Sequence, residues 1–204
     1  MTNDPLDELL VIGISGSLRD ISYTRMAVEL ALEGARTLGV TAKHIDLRNY
    51  QLGFAPATEP LPPDVQKLKD VVRRAKGVIL GTPEYHGSFS GVLKNAIDLM
   101  GFEEFAGKMI GLVGVSGGVL GANNALNGLR VVGRQLRAWV IPQQVSIAQA
   151  WKLFNPDGRL TDKQIEERVL DVGRQVAKFA FLHSSAQAKE FLRLWEESTT
   201  NPGG

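Results

Sequence analysis

Short apolar runs alternate along this chain with longer stretches of helical period. Runs rich in valine, isoleucine and leucine lie at Leu9 to Ser15, Val40 to Asp46, Gly77 to Thr82, Lys108 to Val115 and Trp139 to Val145. Helical patterns fall between them, at Ser22 to Leu38, Asp64 to Ala75, Gly91 to Met100 and Ala122 to Leu136. A final long helix is predicted to start near Thr161, where Thr161-Asp162-Lys163-Gln164-Ile165-Glu166-Glu167 offers an N-cap and an acidic first turn. In the first helix Met26, Leu30 and Leu38, with Ala27, Ala31 and Gly34 between them, put an apolar and small-residue face against a sheet. This alternation is the signature of right-handed βαβ units and predicts an α/β fold on a parallel sheet.

Two segments stand outside the pattern. The stretch from Leu47 to Pro63 carries Pro56, Pro60, Pro62 and Pro63, which predicts a meandering connection or a rim to a site. Near the end, Phe191, Leu194 and Trp195 share one face of a short amphipathic helix that must pack on the body or on another subunit. The organisation expected is therefore an N-terminal extension over 1–8, one domain over 9–183, and a C-terminal helix with a disordered tail over 184–204.

Composition narrows the function more than the fold. With 204 residues, 44% hydrophobic and 22% charged, the chain suits a globular domain with one sizeable core. A net charge of +1 gives no electrostatic pull toward nucleic acid or membrane. The absence of cysteine excludes disulfides, thiolate nucleophiles and thiolate metal sites. His44, His86 and His183 are widely separated, so no metal site is expected. The start, Met1 to Glu8, is acidic where a secretory signal would be basic, and no apolar run reaches membrane-spanning length, which makes the cytoplasm the default location.

Three loops carry the candidate chemistry, each following an apolar run. The first is Gly16-Ser17-Leu18-Arg19-Asp20-Ile21-Ser22-Tyr23-Thr24, which leads into the first helix. A strand-to-helix turn supplies backbone N–H groups and the positive end of a helix dipole, which together attract a phosphate ester. Ser17, Ser22 and Thr24 add hydroxyl donors and Arg19 a charged fork. The bland alternative is that Ser22 simply caps the helix and Arg19 is solvated.

The second loop, Thr82-Pro83-Glu84-Tyr85-His86-Gly87-Ser88-Phe89-Ser90-Gly91, and the third, Ser116-Gly117-Gly118-Val119-Leu120-Gly121, suit a planar ring. Pro83 and Tyr85 offer a flat surface, while Gly87, Gly117 and Gly118 let main chain run close to it. Glu84 is assigned positioning at most, and His86 reads either as a contact to the ring or substrate or as an ordinary surface histidine. Taken singly, each loop also reads as an ordinary turn. His44, in a strand, and His183, at a helix end, read as structural.

Together these residues resemble the NADPH-dependent FMN reductase family, which includes quinone, chromate and azo-dye reductases. The most specific stretches are Gly16-Ser17-Leu18-Arg19 with Ser22, and Thr82-Pro83-Glu84-Tyr85 followed by Gly87-Ser88-Phe89-Ser90-Gly91-Val92-Leu93-Lys94-Asn95-Ala96-Ile97-Asp98. The resemblance implies a flavodoxin-like three-layer sandwich over 9–183, with a five-stranded parallel sheet in order 2-1-3-4-5 and helices on both faces. It implies FMN as bound cofactor, NADPH or NADH as co-substrate, and a ping-pong hydride transfer to a small-molecule electron acceptor: a quinone, an azo compound, an oxidised metal or free flavin.

By the same resemblance Ser17, Arg19, Ser22 and Thr24 hold the FMN phosphate. Pro83, Glu84, Tyr85, His86 and Gly87 flank the ring, and Ser116, Gly117 and Gly118 close its pyrimidine side. The chemistry falls to the flavin N5, so no catalytic side chain is expected. The family often has asparagine where Thr24 and His86 stand, which implies altered contacts at both. It also implies a dimer or tetramer. Lys94, Asn95 and Asp98 match the motif as structural or interfacial residues.

Three other readings compete. A flavodoxin-type electron carrier would be strongly acidic to dock basic partners, unlike this nearly neutral chain, and a non-catalytic flavin redox sensor would use the same pocket. Gly114-Val115-Ser116-Gly117-Gly118 also fits the nucleophile elbow of a serine hydrolase, yet only one predicted strand follows it and His183 lies in a helix.

Overall fold

The computed structural model describes residues 9–56 and 60–197. Residues 1–8 and 198–204, on which the expected extension and disordered tail fall, lie outside that range. Strands β1 (Leu10–Ser15), β2 (Thr41–Asp46), β3 (Gly77–Tyr85), β5 (Met109–Val115) and β6 (Trp139–Ile147) pair in parallel in the order β2-β1-β3-β5-β6. The two-residue β4 (Ser88–Phe89) pairs antiparallel with the end of β3. With that hairpin set aside, the order is the five-stranded one expected, and β4 escaped notice because two residues carry no periodicity.

Burial follows position in the sheet. Every residue of the interior strand β5 is buried, whereas the edge strand β2 alternates exposed and half-buried along most of its length. The main helices are α1 (Tyr23–Arg36), α2 (Pro63–Arg74), α3 (Gly91–Asp98), α5 (Asn123–Gln135) and α7 (Lys163–Ser184), joined by one-turn α4 (Phe102–Phe105) and α6 (Ala150–Leu153). One core cluster joins α1 and α7 to the sheet through residues such as Val28, Leu32, Val113 and Val176. The other joins α2, α3 and α5 to the opposite face through Leu68, Leu93, Leu112 and Leu129. Three layers result.

Local chemistry sets the ends. Pro63 opens α2, where its fixed φ suits a helix start. The cap of α7 is Asp162 rather than Thr161: its carboxylate accepts from the N–H groups of Gln164 and Ile165 at 2.9 and 3.1 Å. The proline-rich connection is pinned from α3, where Asn95 donates to the Gly53 carbonyl at 2.7 Å and accepts from the Ala55 N–H at 3.0 Å. Asn95 thereby builds the rim, while Lys94 and Asp98 pair with each other along the helix surface at 2.7 Å.

Of the two placements expected for the terminal helix, on the body or on another subunit, the single chain does not show the first. Helix α8 (Ala186–Glu196) forms, but none of its residues is buried, and Phe191, Leu194 and Trp195 face outward instead of packing on the body. The reason lies in the connection: Ser185 caps α8 directly after α7 ends, so α8 continues from the end of α7 without crossing back over a core face.

The sheet order reverses between β1 and β3, so the chain leaves these two strands in opposite directions. A crevice is expected outside their carboxyl ends.

Candidate active site

The first loop is clamped on both sides. The Gly16 N–H donates to the Gly81 carbonyl at 2.8 Å, and the Ser90 hydroxyl donates to the Gly16 carbonyl at 2.6 Å. A Cβ on Gly16 would lie 2.6 Å from that of Leu93, so only glycine fits. Arg25, in the first turn of α1, donates to the Arg19 carbonyl at 2.6 Å and to that of Asp20. It also lies 3.7 Å from Asp46, which Arg48 holds in turn at 2.7 Å. Burial and the neighbouring Arg48 cation lower the pKa of Arg25.

Ser22 caps the first helix without spending its proton. Its oxygen accepts from the Arg25 N–H at 3.2 Å as the cap of α1, and the Ser17 oxygen accepts from the Arg19 N–H at 3.4 Å. Each hydroxyl therefore has its proton left to give. The N–H groups of Tyr23 and Thr24 open the helix and have no acceptor within it. The Arg19 guanidinium has no carboxylate partner among the described residues. The loop's cleft-lining groups Ser17, Arg19, Ser22 and Thr24 thus have protons to give, the chemistry an anion requires, while the exposed Asp20 carboxylate lies outside the lining and near Arg48.

Beneath the loop, His44 bridges the buried Ser15, 3.1 Å from its Nε2, and Glu29, 3.2 Å from its Nδ1. The hydrogen bond from His44, opposed by burial and aided by Arg36, lowers the Glu29 pKa from 4.5 to about 2. Glu29 therefore contributes stability that is complete above about pH 4.5 and is lost as the pH falls toward 2. Discounted for solvent screening, the loss is on the order of 1 kcal/mol. Urea midpoints at pH 5 and pH 3 check it: Glu29→Gln should flatten that difference.

The second loop closes β3 with a hairpin in which Glu84 faces Phe89 and Tyr85 faces Ser88. The two linking residues, His86 and Gly87, have φ of 51° and 76°, the signature of a type I′ turn. Asparagine suits this position because it tolerates positive φ, so the departure at His86 is one of turn chemistry. His86→Asn is expected to raise stability by a few tenths of a kcal/mol and leave cofactor affinity unchanged, read by thermal melts and by cofactor titration.

Glu84 has a structural task. Ala122, at the cap position before α5, offers no side-chain acceptor, and the Glu84 carboxylate accepts from the Ala125 N–H at 3.0 Å in its place. This bond ties the second loop to the helix that follows the third. In the third loop the Ser116 oxygen accepts from the Gly118 N–H at 2.9 Å, while the Ser116 carbonyl accepts from Ala150 at 3.0 Å. The Trp151 indole donates to the Gly117 carbonyl at 3.4 Å.

The loops meet in a cleft of about 140 Å³. Nine of the residues singled out in the sequence line it: Ser17, Arg19, Ser22, Thr24, Pro83, Glu84, Tyr85, Ser116 and Gly117. His86, Gly87 and Gly118 do not, since the first two form the hairpin tip and Gly118 completes the Ser116 turn. Ile21, Tyr23, Val115, Ala150 and Trp151 also line it. Trp151 was missed because it lies beyond the last strand in an unmotivated stretch, although an exposed tryptophan after a strand end is a legible signal. A Cβ at Gly117 would meet nothing within 4 Å, so internal packing does not demand glycine there; its absence keeps space beside the cleft open.

The hydrolase reading fails on distance. His183 packs against Trp139, whose strand partner Met109 starts β5, whereas Ser116 follows the other end of that strand. Seven residues of strand separate them by roughly 20 Å.

Residues 9–152 match the family model for NADPH-dependent FMN reductase. The chain belongs to this family. Its cofactor is FMN, its electron donor NADPH, and its activity that of an FMN-dependent oxidoreductase. The chain is 32% identical over 184 residues to the NADPH-dependent FMN reductase ArsH of Rhizobium meliloti, covering 87% of this chain and 75% of that one. It is 32% identical over 174 residues to the FMN-dependent NADPH-azoreductase of Staphylococcus aureus, covering 81% and 92%. Among solved structures it resembles the flavoenzyme NAD(P)H:(acceptor) oxidoreductase FerB of Paracoccus denitrificans. There the TM-score is 0.70 at 24% identity, covering 86% of this chain and 98% of that one, a likeness of fold.

Proposed function

We propose that this FMN reductase holds its cofactor in the cleft between the three loops and passes electrons to a planar, apolar acceptor. The observation that carries the assignment is the cleft face of the first loop, where a guanidinium with no carboxylate partner among the described residues, two hydroxyls already used as acceptors and the open end of α1 converge. Ser17, Arg19, Ser22 and Thr24 bind the phosphate. Pro83, Tyr85 and Trp151 supply flat walls for the ring, and Ser116 and Gly117 run main chain along its pyrimidine edge. Glu84 holds the loops at fixed spacing by capping α5, and no side chain needs to move a proton at the flavin. When bound, FMN would supply the redox chemistry that links NAD(P)H to the acceptor.

The acceptor class rests on a second, apolar cleft of about 480 Å³ that shares Tyr85 and is lined by Leu47, Tyr50, Leu52, Phe54 and Val92. A quinone or azo compound fits such walls better than a hydrated metal oxyanion. The exposed apolar face of α8 supports self-association as a dimer or tetramer. No helix among the described residues is long and apolar enough to cross a membrane, and we place the enzyme in the cytoplasm. The flavodoxin-like domain is assigned to 9–183.

The absorption spectrum of protein incubated with FMN and desalted, then treated anaerobically with NADPH, tests this reading. Retained flavin that bleaches with NADPH and returns with a quinone is expected. Retained flavin that NADPH cannot bleach means a carrier or sensor, and no retained flavin removes the site.

A further inference from the structure

The third loop separates two clefts. Its Ser116 and Gly117 line the one assigned to FMN, while its Leu120 and Gly121 line a polar cleft of about 350 Å³ walled by α5, β6 and α7. Asn123, Gln144, Ser146 and Arg168 supply the polar groups of this second cleft.

The hydrogen bonds already made decide what these groups have left to offer. The Ser146 oxygen accepts from the Ala122 N–H at 2.7 Å, which leaves its proton for a ligand. The Gln144 carbonyl oxygen accepts from Arg130 Nε at 2.7 Å, which leaves its amide NH₂ free to donate. Arg130 is itself held by the Pro142 carbonyl at 2.9 Å, so it orients Gln144. Among the described residues Arg168 has no carboxylate partner, because the nearby Glu167 and Asp171 both pair with Arg174. Among the described residues no carboxylate lines the cleft. The remaining chemistry is a guanidinium surrounded by neutral donors, which suits a phosphate monoester.

We propose that this cleft holds the 2′-phosphate of NADPH, with Arg168 as its charged contact and Gln144 and Ser146 as neutral donors. The proposal rests on the reductase reading and extends it to the choice between the two nicotinamide dinucleotides. The three steps of chain from Gly117 to Leu120 span at most about 11 Å. An extended dinucleotide bridges that distance with its nicotinamide at the flavin cleft. NADH carries no group for these donors, so losing the guanidinium affects one cofactor and spares the other.

Arg168→Ala, an exposed position outside the FMN cleft, should raise the KM for NADPH about tenfold. The KM for NADH, kcat and FMN retention should stay unchanged, and Arg168→Lys should recover part of the loss. In a separate binding measurement, adenosine 2′,5′-bisphosphate is titrated into the FMN-loaded protein beside 5′-AMP and inorganic phosphate. The bisphosphate is expected to bind at least tenfold more tightly than either, and Arg168→Ala should abolish the difference. An unchanged ratio of KM for NADPH to NADH overturns the assignment, as does inorganic phosphate binding as tightly as the bisphosphate. Failure of the wild type to retain FMN or to bleach with NADPH would instead remove the reductase reading itself.

Discussion

Gly173→Ala is expected to destabilise the protein by about 3 kcal/mol, although helix propensity alone predicts a gain of about 1 kcal/mol. Gly173 lies within α7, where alanine is the better helix former. Its Cβ would stand 1.7 Å from the backbone carbonyl oxygen of Ala31 on α1, and a Cβ on Gly34 of α1 would stand 2.0 Å from that of Leu170 on α7. The two helices thus cross backbone to backbone, and neither obstacle is a side chain that can rotate away. Relief requires moving α7 off α1, which opens the layer in which Val169, Val172 and Val176 are wholly buried. A thermal melt should show Tm falling by roughly 6 to 12 °C for a chain of this size. Gly91→Ala is the control: a Cβ there meets nothing within 4 Å, and its melt should stay within a degree or two of wild type. A Gly173→Ala protein as stable as wild type would show that the crossing relaxes without cost.

The contrast between these glycines shows where sequence reading stops. The apolar runs and helical periods gave the strands and the main helices, because burial on both faces of a parallel sheet leaves a long local signal, whereas the sheet order followed only from the family resemblance. Gly34 was recognisable as part of a small-residue face, but its partner Gly173 is distant in sequence and nothing local marks the pair. The site divides the same way. The donors of the first loop were legible, since Ser17, Arg19, Ser22 and Thr24 follow a strand and open a helix. Arg25 was not, because on a helix surface an arginine that grips two loop carbonyls looks like one in solvent. Glu84 was read as a positioning residue, but that it caps α5 depends on a helix starting 39 residues later, at Asn123. The left-handed backbone of His86 at the hairpin tip was not legible, because a backbone angle set by a two-residue turn leaves no mark in side-chain chemistry.

Arg19 and Arg25 are expected to separate binding of the phosphate from positioning of the loop that binds it. Arg19→Ala removes an unpaired guanidinium from the cleft, and losing one charge-assisted hydrogen bond of about 1.5 to 3 kcal/mol weakens FMN affinity roughly 10- to 150-fold. The apoprotein should melt at its usual temperature, because that side chain holds nothing else in place. Arg25→Ala leaves every cleft donor present but frees the carbonyls of Arg19 and Asp20 and leaves Asp46 to Arg48 alone. FMN affinity should fall by a similar factor, and here the apoprotein should also lose about 1 to 3 kcal/mol of stability. Arg25→Lys keeps the charge yet cannot fork to two carbonyls, so it should recover part of the stability and little of the affinity. Fluorescence quenching of free FMN gives the affinities and urea titration of the apoprotein the stabilities. Unchanged FMN affinity in Arg19→Ala would place the phosphate elsewhere. If Arg25→Ala lost affinity with its apoprotein stability intact, Arg25 would be a direct ligand rather than the support of the loop.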